Sequence, residues 1–215
     1  MSSPGDPRLP ELDASSFSER LRLPGGEPLH QDVAARLHAH YQELRRWNAR
    51  LSLVGPGTAG EILERHYAES LAALALIPPA RSLVDLGSGA GFPGFVLAAA
   101  RPELEVTLVE GRERKWAFLE AVRRRASLSC QVLNARVSAS LPPGWPRGAD
   151  VVTSRALRLE PAWMAALGTA MSPEGRFLLW VGEELPALPE GWTVGREVRL
   201  EASRVRRVVE VRRVA

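Results

Sequence analysis

Apolar positions change period along this chain, and the change divides it. From Asp32 onward Val33, Leu37, Tyr41, Leu44 and Leu51 fall near one face at helical spacing, which predicts a long amphipathic helix. Thr58-x-x-Glu61 reads as a capping box, and Leu63, Tyr67, Leu71, Leu74 and Ile77 continue a helical stripe until Pro78-Pro79 ends it. Ahead of both, residues 1–30 hold five Pro and three Gly, so residues 1–14 are expected to be disordered, with a short helix over 15–23. Residues 15–80 are thus expected to form an N-terminal helical extension.

After residue 80 short apolar runs alternate with helical patterns. Strands are predicted at 82–86, 105–110, 130–133, 150–153 and 175–181, with helices at 93–101, 112–126 and 161–171 between them. Two β-rich segments, 192–200 and 205–214, close the chain with no room for a helix between them. Such alternation predicts an α/β domain over 81–215: a parallel sheet covered on both faces by right-handed crossovers, with an antiparallel hairpin at one edge.

Composition narrows the class. The chain has 215 residues, 45% apolar and 25% charged, with six Trp among its large anchors, which suits one domain with a full core and does not suit a disordered chain. The longest apolar run, residues 71–77, is far short of the ~20 residues a membrane span needs. The first ten residues, MSSPGDPRLP, lack the basic start and apolar core of a secretory signal. A single cysteine, Cys130, leaves neither a disulfide framework nor a Cys-rich metal cluster to expect. The expectation is a cytoplasmic protein without a metal or a membrane partner; oligomeric state is left open.

Charge is uneven. Lys115 is the only lysine, and the last twenty residues hold seven Arg against three Glu, while residues 1–195 carry 21 bases and 22 acids. An Arg-rich solvated edge strand accounts for this tail, since such charges suppress edge pairing. A phosphate-contacting surface is the alternative. On charge alone the solvated strand is preferred.

The candidate chemistry sits at Leu83-Val84-Asp85-Leu86-Gly87-Ser88-Gly89-Ala90-Gly91-Phe92-Pro93-Gly94, where glycines directly follow a strand and precede a helix. That arrangement lets a ligand approach the backbone closely, and Gly89, Gly91 and Gly94 satisfy the dinucleotide pattern, with Glu110 placed for a ribose hydroxyl. Asp85 separates the ligands. A carboxylate beside a pyrophosphate is repulsive by ~4 kcal/mol per close pair at moderate dielectric, whereas it attracts the sulfonium and ammonium of S-adenosylmethionine. The methyl donor is therefore favoured over NAD, and an oxidoreductase is the distant alternative.

Four runs resemble one family: GSGAGFPG at 87–94, ERHYAESL at 64–71, RWNARLSL at 46–53 and VVTSRA at 151–156 are similar to the ribosomal RNA small subunit methyltransferase G (glucose-inhibited division protein B) family. The resemblance covers roughly residues 15–212. It implies a class I, Rossmann-like S-adenosylmethionine-dependent methyltransferase with a seven-stranded, mostly parallel sheet. It also implies methyl transfer to N7 of a guanine in 16S rRNA, free or in the small ribosomal subunit. By position it places the donor against Gly87 and Phe92, Glu110, Gly111 and Arg112 near the ribose and adenine, Val137 and Ser138 at the adenine, and Arg155 near the methionine end. Two positions depart from the family's pattern: Ser138 stands where an acid is usual, and Val181-Gly182 where a Lys-Gly pair is usual.

The residues themselves exclude some acceptors. The Asn/Asp-Pro-Pro-aromatic motif of amino-group methylation is replaced by Thr-Ser-Arg-Ala, and Cys130, the one candidate for C5 chemistry, sits at a strand start where an inert buried thiol is expected. Guanine N7 has its own lone pair and loses no proton, so no general base is needed. A different methyltransferase substrate, protein or small molecule, and a binder without turnover remain alternatives. RNA contacts are sought at Arg65 and His66, whose bland reading is an ion-paired and packed helix face, and at Arg123, which closes a helix. In the tail the candidates are Arg204, Arg206 and Arg207. Trp47 is expected in the core.

Overall fold

The computed structural model describes residues 9–138, 140–155, 157 and 159–214. Helix α1 spans Ala14–Arg20, capped by the Asp13 carboxylate, which accepts from the Ser16 N–H at 2.8 Å. Residues 1–8 of the stretch expected to be disordered lie outside the described residues; further on, Leu9 is buried and the Pro10 carbonyl accepts from the Tyr41 hydroxyl at 2.5 Å, so this part is tied down.

Helix α2 spans Gln31–Leu51 and buries Leu37, Tyr41 and Leu44 as the stripe requires. It ends where Ser52 turns left-handed (φ 46°), and the Asn48 side chain accepts from the Val54 N–H at 2.8 Å to hold the exit. Trp47 packs on Phe118, ring centroids 5.9 Å apart, as a core residue.

The next segment departs from expectation. In place of one continuous helix there is a short α3 (Pro56–Ala59), a π-helical turn (Leu63–Ala68), α4 (Glu69–Ala72) and a 3-10 turn (Ala73–Leu76). The capping box does not form, because the Thr58 hydroxyl pairs with His66 Nε2 at 2.9 Å instead. Leu63, Tyr67 and Leu71 still bury one face. The wide turn carries Arg65 and His66, and π-turns of this kind recur at functional positions.

Seven strands follow: β1 (Ser82–Leu86), β2 (Glu105–Glu110), β3 (Cys130–Asn134), β4 (Ala149–Arg155), β5 (Met171–Val181), β6 (Trp192–Arg199) and β7 (Arg207–Arg213), interleaved with α5 (Gly94–Ala100), α6 (Glu113–Arg125) and α7 (Pro161–Thr169). The sheet order is β3-β2-β1-β4-β5-β7-β6, parallel except for the β5–β7 and β6–β7 pairs. Neighbouring side chains serve opposite faces: Leu83, Val106, Val151 and Leu178 join a core with α2, α5 and α6, while Val84, Val109, Val152 and Phe177 join one with α7. The first of these cores runs from Leu9 to Val208 and binds the N-terminal helices to the sheet.

The tail corrects one expectation. β6 is the solvated edge, but β7 lies inside the sheet with Val208–Val211 buried. Its charge is absorbed locally: Glu210 is held by Arg176 and Arg196 at 3.4 Å each, and Arg213 donates to the carbonyls of Ser172 and Pro173 at 2.9 Å. Because β7 runs antiparallel to β5, Arg206 and Arg207 lie at the carboxyl edge of the parallel strands and Arg212 and Arg213 at the amino edge. No helix among the described residues is long and apolar enough to cross a membrane.

Candidate functional site

The crossover from β1 to α5 places the glycine turn at the carboxyl edge of the sheet, where open α/β sheets bind ligands. Gly87, Gly89 and Gly91 all take positive φ (66°, 53° and 88°), which explains the residue choice. At Gly91 a Cβ would stand 2.9 Å from His40 Nε2, and at Gly94 one would stand 2.5 Å from both Asp85 Cβ and Leu108 Cδ2.

Two carboxylates hold this turn. Asp85 is fully buried on β1; its oxygens accept from the Thr153 hydroxyl at 2.7 Å and the Gly94 N–H at 3.2 Å. Burial raises its pKa to about 6 against the pull of these hydrogen bonds and of Arg155. It therefore does not line the hollow; it braces the turn from beneath and acts on a ligand through its field. Glu110, at the end of β2, accepts from the Gly89 N–H at 3.0 Å and the Arg112 N–H at 2.8 Å. Each carboxylate oxygen has a second lone pair, so Glu110 can still accept from two hydroxyls.

Above these groups lies a hollow of about 360 Å³ lined by Gly87, Val109, Glu110, Gly111, Arg112, Ala135, Arg136, Val137 and Leu157. It brings together five of the residues expected at the donor: Gly87, Glu110, Gly111, Arg112 and Val137. Ser138 is not among its walls, because its hydroxyl is spent locally, donating to the Ser140 carbonyl at 2.7 Å. On the other side of Leu157 a second hollow of about 350 Å³ follows the ends of β4 and β5, walled by Trp180, Leu179, Leu159 and Val181.

Phe92 is turned into an aromatic cluster, 5.0 Å from the His66 ring, 4.9 Å from Tyr67 and 5.3 Å from His40. His40 was not legible as a site residue, although it sits on the apolar face of α2 between Leu37 and Leu44. It is wholly buried, with Nε2 on the Ala90 carbonyl at 2.8 Å and Nδ1 on the Tyr67 hydroxyl at 2.5 Å. A carbonyl only accepts, so Nε2 carries the proton and Nδ1 accepts from tyrosine. Burial brings the His40 pKa down to about 4, which keeps this neutral tautomer in place. His66 is pushed down to about 3 by burial and by Arg155, Arg206 and Arg65.

Glu69 stands in the sequence four residues after Arg65, as its ion-pair partner on a helix face, and it does more than that. It is buried on α4 and gathers guanidiniums from three elements: Arg155 at 3.0 Å, Arg65 at 3.8 Å, and Arg206 in direct contact. Arg155, at the end of β4, also donates to the Arg65 carbonyl at 2.5 Å. Arg123 lies elsewhere: it ends α6, at the amino edge, and pairs with Glu120 at 3.0 Å. Ala156 of the VVTSRA run lies outside the described residues. The Cys130 thiol is pushed up to about 12 by burial, so it offers no thiolate at neutral pH. No group of three or more metal-ligating side chains occurs among the described residues.

Residues 33–201 match the GidB family, described as rRNA small subunit methyltransferase G. The ribosomal RNA small subunit methyltransferase G of Methylobacterium sp. (strain 4-46) is 40% identical over 192 residues, covering 84% of this chain and 88% of its own. The protein of that name from Myxococcus xanthus (strain DK1622) is 36% identical over 179 residues, covering 80% and 81%. Among solved structures, a SAM dependent methyltransferase from Aquifex aeolicus superposes with a TM-score of 0.55 at 15% identity, covering 72% of this chain and 93% of its own. The mitomycin 7-O-methyltransferase MmcR superposes with a TM-score of 0.56 at 19% identity, covering 83% of this chain and 60% of that one. These likenesses speak for the fold, an α/β class I S-adenosylmethionine-dependent methyltransferase.

Proposed function

Because the chain belongs to the rRNA small subunit methyltransferase G family, we propose that it transfers a methyl group from S-adenosylmethionine to N7 of a guanine in 16S rRNA. The observation that carries this reading is the glycine turn braced by two carboxylates, Asp85 below and Glu110 at its rim, beside a hollow at the carboxyl edge of the sheet. The donor fits these residues. Glu110 retains free lone pairs for ribose hydroxyls, Gly111 and Val137 wall the adenine end, and Gly87 gives a backbone surface without a Cβ. When bound, the donor supplies an electrophilic methyl group on a sulfonium.

The acid–base state of the neighbourhood suits an acceptor that loses no proton. His40 and His66 are neutral at pH 7 and, with pKa values of about 4 and 3, hold no proton once they have taken it. The Tyr67 hydroxyl, raised by burial, keeps its own. Asp85 is fully buried beneath the turn and does not reach the hollow. Among the described residues no side chain here is poised as a general base, and guanine N7 needs none. The chain's work is alignment, an effect worth up to about 7–11 kcal/mol, together with exclusion of water around Trp180 and Leu157. Such an acceptor places the enzyme in the cytoplasm.

The acceptor is tested with methyl-labelled donor and a panel of small ribosomal subunits lacking 7-methylguanine, the 16S rRNA extracted from them, and the subunit proteins. Label is expected in 7-methylguanine of the 16S rRNA from one or both RNA-containing samples. Label confined to protein, or to another base, overturns the reading.

A further inference from the structure

Three guanidiniums converge on Glu69 from parts of the chain far apart: Arg65 on the π-turn, Arg155 at the end of β4 and Arg206 just before β7. One carboxylate against three cations leaves an excess of two positive charges beside the donor turn. Arg65 Nε, Arg155 Nη1 and Arg206 Nε are also buried without a hydrogen-bond partner among the described residues. The Nε atoms of Arg123 and Arg176 share this state, so it is the surplus of charge at the cluster, and not these buried atoms, that favours an anionic partner.

Arg206 faces a second feature as well. It lines, with Arg199, Arg204, Arg207, Glu183 and Glu197, a groove of about 380 Å³ along the β6–β7 turn. Arg207 is occupied structurally, donating to the Gly182 carbonyl at 2.7 Å and pairing with Glu197 at 3.2 Å. The side chains of Arg199 and Arg204 are exposed and make no ion pair or hydrogen bond among the described residues. Cluster and groove together hold six arginines and three glutamates, an excess of +3 equal to the net charge of the whole chain. The remaining residues sum to about zero, although a second arginine cluster, Arg176, Arg196, Arg212 and Arg213 against Glu174 and Glu210, lies at the amino edge.

We propose that Arg65 and Arg206, spaced by Glu69, seat a phosphate of the RNA strand that carries the target base, and that Arg199 and Arg204 continue the track along the β6–β7 turn. This rests on the rRNA reading above. Arg155 is set apart from the track: Ser154 pairs with Leu86 in the ladder, which puts Arg155 beside the donor turn. Glu69 is a positioning residue. It keeps mutually repelling guanidiniums in one place. Arginine is suited to the task by its planar fork of donors and permanent charge.

Binding of unmodified small subunits and of their extracted 16S rRNA is measured by filter retention from 50 to 200 mM KCl. The proteins are wild type, Arg204→Gln, Arg199→Gln and Arg206→Gln, with S-adenosylmethionine affinity measured by calorimetry alongside. Each arginine lost from a single-strand phosphate contact should lower the slope of log K against log[salt] by about 0.7, so the fall in affinity over that fourfold salt range shrinks about 2.6-fold. Donor affinity is expected to stay within twofold. Arg204 and Arg199 are surface residues, so their variants report even if Arg206→Gln unfolds. Unchanged slopes in a wild type that methylates rRNA overturn the track alone. A drop in donor affinity at Arg206→Gln with its slope unchanged reassigns the cluster to the donor's carboxylate. A wild type that neither binds nor methylates rRNA sinks the functional reading and this proposal with it.

Discussion

Gly94→Ala loses donor binding and about 4 kcal/mol of stability, the sum expected for overpacking at a rigid contact and for a lost hydrogen bond to a charged group. The added Cβ would lie 2.5 Å from Asp85 Cβ and 2.6 Å from Asp85 Oδ2. Leu108 can swing its terminal methyl aside, but Asp85 cannot move, because it lies mid-strand with its backbone paired to β2 and β4. The start of α5 must retreat instead, and the Gly94 N–H leaves the Asp85 carboxylate. Gly57→Ala, where no atom lies within 4 Å, is the matched control and should stay within ~0.5 kcal/mol of wild type. Urea denaturation and calorimetry with the donor read both effects. A Gly94→Ala protein with normal stability and normal affinity would mean that the turn does not depend on this close approach.

The second large effect separates stability from binding. Asp85 has its folded-state pKa raised to about 6 from an ordinary 3.8, mainly by burial. A raised carboxyl pKa means that the charge opposes folding above pH 6, by about 3 kcal/mol, and that the opposition fades as pH falls from 6 toward 3.8. Asp85→Asn removes the charge and keeps a polar group opposite Thr153 and Gly94. It is expected to be more stable than wild type at pH 8 by up to that amount, with the gap closing below pH 6. Its donor affinity should fall roughly 100-fold, the loss expected for a charge pair ~6 Å apart at an effective dielectric of ~20. Wild-type affinity should itself weaken as pH falls through 6, while the variant's stays level. His40 and His66, lowered from 6.5 to about 4 and 3, stay neutral in the folded protein near pH 6 and leave the affinity profile clear. The stability they cost as pH falls below 6.5 is common to both proteins and cancels in the comparison. Equal affinities and level profiles in both proteins would remove Asp85 from donor recognition.

Local periodicity carried much of the fold. β1 and β2 fall on the predicted residues, because each is a short apolar run closed by a turn or an acid. The π-turn was not legible: one extra residue per turn leaves the apolar stripe nearly unchanged, and the Thr58–His66 contact that undoes the capping box joins residues eight apart. β5 begins at Met171 where residue 175 was expected, since Pro173 hides an irregular stretch whose register with β4 shifts between Ala149 and Val151. The burial of β7 was masked by arginines at both its ends, while the alternating Val209 and Val211 lay between them.

The site divides in the same way. The glycine turn is contiguous and announced itself through glycine spacing and Asp85. His40 meets Ala90 across 50 residues and Arg206 meets Glu69 across 137, so both contacts exist only once the sheet has formed. His40 looks locally like an ordinary polar interruption of an apolar face, and the spacing of Glu69 shows its pairing with Arg65 but not with Arg155 or Arg206.

A carboxylate-braced turn is expected to select a sulfonium ligand over an anionic one. Titration calorimetry of the full chain at pH 7.5, with S-adenosylmethionine in one series and NAD in the other, tests it most directly. One S-adenosylmethionine bound per chain, with no heat from NAD and no displacement by it, is the predicted result. NAD binding that competes with the methyl donor, or a donor that does not bind at all, would contradict it.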